Sequence, residues 1–500
     1  MTEFLLHAAL AAALALPAGA REPAVAGQFY PADAKELAKT VDAFLVPPKG
    51  FTPPAKITAV IAPHAGYEYS GRLAGLAYAG IADSYDTVVI LATGHTEAVK
   101  GAALLASDSY KTPLGTVEPD RALAAALMKA SPLFEDRPSA HLREHAVEVQ
   151  LPFLQRKLKK PFRLLPAVLN TENAEDLKRI GAVLASALKG KKALLVISTD
   201  FSHYPRQADA AASDGAMRLA IESLDPDLFL TAQRFILQKG VPGLETCACG
   251  SAAVAAGMEA ARLLGARSFV TYAVSDSFAE SPGGGPGRVV GYIAGAFTPA
   301  GAPASLALSA GQKDALLREA RLTLERQFGG QEQPAGLSPD PRLNLPGAVF
   351  VTLTEGGRLR GCVGTVTPAM TLADAVRYGA YSAAFRDGRF RPLEKAELPG
   401  VEIEVSVLSP MKPVRPEDIK PKAQGVFLVK GGQSGLFLPQ VWEQIPGKEE
   451  FMGELCEQKA GLPRDCWKDP AAKLYSFTVD SFKERQSPPA SAASAAKPDK

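Results

Sequence analysis

Five hundred residues, at about 100–200 per domain, allow two to four domains. Hydrophobic residues make up 47% and charged residues 22%, ordinary globular usage that excludes a wholly disordered chain and a fibrous repeat. Lys and Arg total 55 against 53 Asp and Glu, so a formal charge of +2 supplies no basic field for nucleic acid.

In chain order, Phe4 to Leu16 is almost wholly apolar, interrupted by His7, and Pro17-Ala18-Gly19-Ala20 follows. Ala18 and Ala20 fit a small-x-small cleavage pattern with Arg21 opening the mature chain, so residues 1–20 read as a signal peptide and the protein as exported or periplasmic. The start Met1-Thr2-Glu3 lacks the usual Lys or Arg, and the alternative is an Ala-rich helix or a misassigned start. The stretch falls short of the roughly 20 apolar residues a membrane span needs. No later segment reaches that length without a charge.

Residues 21–297 read as one α/β domain, a mostly parallel sheet with helices on both faces. Ile57 to Ala62, Thr87 to Ala92 and Ala193 to Ser198 are short apolar runs with β-branched residues and nearby turn formers, the pattern of strands buried on both faces. Leu164 to Leu169, Phe269 to Val274 and Val289 to Ala294 are further strands. Helical periodicity marks Ala34 to Leu45, Arg121 to Lys129, Ala174 to Leu188, Ala208 to Leu224 and Ser251 to Leu264. Residues 298–310, rich in Ala, Pro, Ser and Gly, read as a linker. Residues 311–484 read as an α+β domain: a helix at Lys313 to Gln327, then strands near Ala348 to Leu353, Val401 to Leu408, 425–429 and 435–438. The tail 485–500 reads as disordered.

The chemistry concentrates where the three clearest strands end. They run into Pro63-His64-Ala65-Gly66-Tyr67, Thr93-Gly94-His95-Thr96 and Thr199-Asp200-Phe201-Ser202-His203-Tyr204. In an open α/β sheet the carboxyl edge is where ligands and catalytic groups converge. One histidine there is more often a hydrogen-bonded structural residue; three at one edge point to a transition-metal site. A thiolate is a natural further ligand, and Cys247 in Glu245-Thr246-Cys247-Ala248-Cys249-Gly250 is the candidate, because a helix starting near Gly250 favours the thiolate. Two buried structural thiols are the alternative. On a short helix His145 and Glu148 share a face, which makes His145 an orienter or proton carrier, or part of a helix cap.

Five cysteines are too few for a disulfide scaffold, and the odd number leaves at least one unpaired. Cys456 and Cys466 are candidates for pairing outside the cytoplasm, their geometry unread in sequence.

Five ordered motifs carry a resemblance: the run from Pro23 to Pro31 (PAVAGQFYP), APHAGYEYSG from Ala62, EHAVEVQLPFLQ from Glu144, STDFSHY from Ser198 and ETCACG from Glu245. Together they resemble the MEMO family. Residues 311–484 are similar to the AMMECR family through LRGCVG from Leu359, AAFRDGRFRPL from Ala383, VEIEVSVLSP from Val401 and GLFLPQV from Gly435. The fused pair resembles proteins B and A of the bacterial AmmeMemoRadiSam system, which implies a radical-SAM protein as partner.

The resemblance implies a fold akin to the class III extradiol dioxygenases and one iron or copper ion. The ion would be held by His64, His95 and Cys247, with Asp200 and His203 lining the pocket. It implies redox or oxygenase-like chemistry on an unnamed substrate; a non-catalytic metal-handling or scaffold module serving the radical-SAM partner is the alternative. This chain departs from the usual pattern at Ala146, Ala248 and Ser251-Ala252. In the AMMECR-like domain Arg360 and Cys362 are the candidate functional residues, against a reading of the same motif as a buried strand and turn.

Overall fold

The computed structural model describes residues 19–332 and 336–484. Apart from Gly19 and Ala20, the leader expected over residues 1–20 lies outside the described residues, as does the tail over 485–500. Two compact units emerge, one from residues up to 233 with 242–305, the other from 234–241 with 306 onward.

The main sheet of the first unit has eight strands: β1 (Ala59–Ala62), β2 (Thr87–Thr93), β3 (Ala102–Leu104), β4 (Phe134–Asp136), β5 (Arg163–Leu169), β6 (Ala193–Ser198), β7 (Ser268–Asp276) and β8 (Gly291–Thr298). Their order across the sheet is β7-β8-β1-β6-β2-β5-β3-β4. The central β1, β6, β2 and β5 run parallel, while β7–β8, β8–β1 and β5–β3 pair antiparallel toward the two edges. Every residue of β1 and β2 is buried, as the continuous apolar runs require of strands covered on both faces.

The covering helices are α1 (Ala34–Phe44), α2 (Tyr67–Ala79), α3 (Arg121–Ala130), α4 (Leu151–Lys157), α5 (Ala174–Leu188), α6 (Gln207–Glu222) and α7 (Ser251–Leu263). Asp33 caps α1 by accepting from the Lys35 and Glu36 amides, and Asn173 caps α5 in the same way. Helix α2 is absent from the sequence reading because Gly71 and Gly75 break its helical signal. Both are packing devices: a Cβ on Gly75 would lie 2.2 Å from the Phe44 carbonyl oxygen, so only glycine lets α2 seat against α1. No regular element lies between the end of β8 and Ala310.

In the second unit α8 (Ala310–Gly329) opens with a Ser309/Gln312 capping box and ends at Gly330 in the left-handed conformation. The antiparallel strands β9 (Pro346–Glu355), β10 (Arg358–Gly364), β11 (Val401–Leu408) and β16 (Val479–Lys483) form one sheet in the order β10-β9-β11-β16, with α9 (Leu372–Phe385) packed on β9 and β10. A second sheet, β12-β15-β13-β14, uses β12 (Lys412–Pro413), β13 (Gly425–Lys430), β14 (Gln433–Phe437) and β15 (Lys473–Phe477). Cys456 and Cys466 form a disulfide, Cα atoms 6.0 Å apart, in a buried cluster with Trp442 and Phe451. Among the described residues no helix is long and apolar enough to cross a membrane.

Candidate metal centre

The carboxyl ends of β1, β2 and β6 meet at one point, and a thiol joins them. His64, His95 and Cys249 each offer a ligand atom, and these atoms lie within 4.8 Å of one another. His64 Nε2 stands 3.2 Å from Cys249 Sγ. Nitrogen and sulfur sharing a tetrahedral ion at about 2.0 and 2.3 Å sit roughly 3.5 Å apart, so this spacing suits a common ion.

Hydrogen bonding fixes which nitrogen each imidazole presents. The Ser198 hydroxyl donates to the Ala146 carbonyl at 2.7 Å and accepts from Gln150 Nε2 at 2.9 Å. Its remaining contact, at 3.0 Å to His64 Nδ1, is therefore one in which the ring N–H donates, leaving the Nε2 lone pair toward Cys249. His95 Nδ1–H donates to the Glu144 carboxylate at 2.9 Å, and the His95 backbone amide donates to the other carboxylate oxygen at 2.5 Å. A carboxylate behind an imidazole is the usual support of a metal-ligating histidine.

Burial disfavours charge on His64 and on the Cys249 thiol. Burial pushes His64 down to about 3 and His145 down to about 4, and it lowers His203 as well. Burial works to raise Glu144, but the His95 bond and charge, the Ala146 amide and His145 together outweigh it and the carboxyl falls to about 2. Burial holds the Cys249 thiol well above its usual range. Two imidazoles and a thiol that a bound cation would deprotonate form a soft donor set, fitted to a transition metal rather than Mg or Ca.

The thiol differs from the sequence expectation. Cys247 is fully buried, its Sγ directed at the Gln233 carbonyl at 3.9 Å, and it joins no group of candidate ligands among the described residues. The physical reason is the backbone. His203 pairs with Thr246 in a short antiparallel bridge, the chain bends at Cys247, and Cys249-Gly250 turn directly into α7. The segment is not extended, so the two thiols diverge. Gly250 makes the close approach: a Cβ there would lie 2.7 Å from the Ser198 carbonyl oxygen and 2.8 Å from Thr199 Cβ. Cys249 is also the cysteine nearer the helix start, the signal that could have selected it from sequence.

Asp200 and His203 line the same centre. Asp200 accepts from the His64 amide at 2.8 Å, burial raises its carboxyl, and with His203 and Cys249 it forms a second group of convergent donors. His203 Nε2 is buried without a hydrogen-bond partner, an acceptor or donor unspent at the site. The His145 ring stacks on His95 with centroids 4.5 Å apart and lies 4.7 Å from Phe29. Residue 145 is not helical, and Glu148 turns away from it to meet Arg21 and Tyr30, so their expected shared face does not form. Glu144, unassigned by sequence reading, takes the orienting role. Ala146 enters through its backbone, its amide donating to Glu144 at 2.8 Å and its carbonyl accepting from Ser198 at 2.7 Å.

All six histidines lie at or before residue 203, so the second unit brings none. Arg360 pairs with Glu397 at 2.9 Å at an irregularity in the β9–β10 register. The Thr352 hydroxyl donates to Cys362 Sγ at 3.3 Å. The Cys362 amide donates to Asp387 at 2.9 Å, and its carbonyl accepts from Arg389 at 3.1 Å. The loop after α9 thus covers the open edge of β10 with side chains instead of a strand.

A His/His/Cys cluster at the carboxyl edge of a parallel-rich sheet makes this an α/β protein with a candidate metal site. Residues 21–295 match the model of the Memo-like protein family, and residues 317–482 match that of AMMECR1. The chain belongs to the Memo-like family, with an AMMECR1 domain following. It is 38% identical over 260 residues to a MEMO1 family protein of Aquifex aeolicus, covering 51% of this chain and 92% of that one. It is 35% identical over 284 residues to a MEMO1 family protein of Methanothermobacter thermautotrophicus, covering 54% and 98%. A crystal structure of an uncharacterized protein from Pyrococcus horikoshii aligns at 38% identity over 34% of this chain and 91% of that chain, with a TM-score of 0.32.

Proposed function

We propose that the Memo-like unit holds one transition-metal ion, iron or copper, on His64, His95 and Cys249 and serves redox or oxygenase-like chemistry. The observation that carries this reading is the 3.2 Å approach of His64 Nε2 to Cys249 Sγ, with both ligand imidazoles turned by partners on their Nδ1 atoms. Such an ion, when bound, supplies Lewis acidity and one-electron chemistry. His203, with its unspent Nε2, handles a proton of the substrate, Asp200 orients the His64 loop, and His145 closes the pocket against Phe29. Metal analysis after growth with iron and copper tests the reading: about one ion per chain in wild type, and little in His64→Ala or Cys249→Ser. Equal, near-zero metal in all three contradicts it.

A second reading, metal handling or substrate presentation without turnover, draws on the 31% exposure of the His95 side chain, which leaves a route for ion exchange. The fusion of two units supports a protein partner, proposed as a radical-SAM protein. Capture of that protein, with no turnover of catechols, peroxide or thiols, favours this second reading. The buried Cys456–Cys466 disulfide supports export to an oxidising compartment.

A further inference from the structure

His95 is the ligand least fixed by regular structure, since it lies in the loop beyond β2 and takes its position from Glu144. Glu144 itself belongs to no helix or strand. Residues 141–148 are held by Tyr110 and Ala103 on His141, by Ser198 on Ala146, and by the chain's own N-terminal arm. Arg21, its side chain 2% exposed, donates from Nε to the His141 carbonyl at 2.9 Å and from Nη2 to the Glu144 carbonyl at 2.5 Å. Its Nη1 pairs with Glu148, a carboxylate with no exposed surface. Glu148 also accepts from the Ala24 amide at 2.8 Å, the Val25 amide at 3.1 Å and the Tyr30 hydroxyl. Farther along the arm, Phe29 packs on His145.

We propose that the arm from Arg21 to Tyr30 is the positioning element of the metal centre, with Arg21 acting through Glu144 on His95. This rests on the metal-site reading above. One guanidinium fork serves three acceptors on three residues of the 141–148 segment, which fixes the Glu144 backbone and with it the carboxylate that holds His95. A lysine ammonium keeps the charge opposite Glu148 but cannot span the two carbonyls as well.

The test compares wild type, Arg21→Lys and Leu127→Ala as full chains, below the unfolding temperature of each. Leu127 is a fully buried residue of α3 and serves as a general destabilisation control. Cobalt(II) affinity, with the thiolate and ligand-field absorption bands, is one readout. Hydrogen exchange of the His95 amide in metal-free protein is the other. Arg21→Lys is expected to weaken cobalt binding about tenfold or more, shift the bands and speed exchange at His95, while Leu127→Ala does none of these. Wild-type behaviour of Arg21→Lys overturns the proposal, and so does an equal loss in Leu127→Ala. If wild type binds no cobalt, the metal reading fails by itself. Exchange at His95 then decides the arm's role, unchanged exchange overturning it. Should Arg21→Lys not fold, Tyr30→Phe removes one donor from Glu148 and takes its place, with the same outcomes at smaller size.

Discussion

Glu144 holds His95 at two atoms, one carboxylate oxygen on the backbone amide at 2.5 Å and the other on Nδ1 at 2.9 Å. The pair couples a loop without secondary structure to the end of β2 and sets the imidazole's tautomer. Glu144→Gln keeps the shape, removes the charge and replaces one acceptor oxygen with a donor NH2. Metal affinity should fall about 10- to 100-fold, the usual cost of losing a ligand's supporting carboxylate, as read by competition against a chelator. Unchanged affinity would remove Glu144 from the account.

Gly250 is the hinge on which Cys249 reaches His64. In Gly250→Ala the new methyl meets the Ser198 carbonyl and Thr199, so α7 must withdraw and carry the thiol with it. Bound metal should drop several-fold, and stability by about 1–3 kcal/mol as for overpacking. Metal content measured beside the thermal midpoint separates the two effects.

Much of this was legible in the sequence, and the failures are instructive. The strands behind His64, His95 and His203 announced themselves because burial on both faces demands uninterrupted apolar runs, and the turn after each exposed its histidine. The helix start favours Cys249, but the bend at Cys247 and the His203–Thr246 bridge that part the two thiols arise from tertiary pairing and leave no mark in the sequence. Helix α2 was hidden by glycines whose purpose is contact with Phe44. Glu144 and Arg21 carried no periodic signal; their meaning appears only when residues about 120 apart in sequence meet.

Asp214 gives a pH prediction away from the ligands. Burial raises its carboxyl to about 7, while its Oδ1 accepts from the Ser202 amide at 3.0 Å. The native state therefore holds a proton that the unfolded chain releases near the ordinary value of 3.8. Stability from this group is full below that value and is lost as pH rises to about 7. Asp214→Asn removes the dependence while keeping the Ser202 bond. Relative to wild type, the variant should gain up to roughly 4 kcal/mol between pH 4 and pH 8, followed by unfolding across pH. A flat difference contradicts this assignment.

The Cys456–Cys466 disulfide closes a short loop, with a sequence separation of 10. Chain entropy alone assigns it about 3 kcal/mol. Reduction should lower the unfolding midpoint of the second unit and leave that of the first unit in place. Thiol titration of denatured, unreduced protein should find three free thiols, those of Cys247, Cys249 and Cys362. Five free thiols in protein recovered without reductant would contradict the pairing.

The most direct test sets two single-atom changes side by side. Cys249→Ser and Cys247→Ser are compared with wild type for bound iron or copper and for the charge-transfer absorption of a metal–thiolate bond. The account predicts that Cys249→Ser abolishes the absorption and most of the metal, whereas Cys247→Ser keeps both and loses only about 1–3 kcal/mol of stability from a poorly satisfied buried hydroxyl. Loss of the thiolate band in Cys247→Ser, with Cys249→Ser unaffected, would contradict it outright.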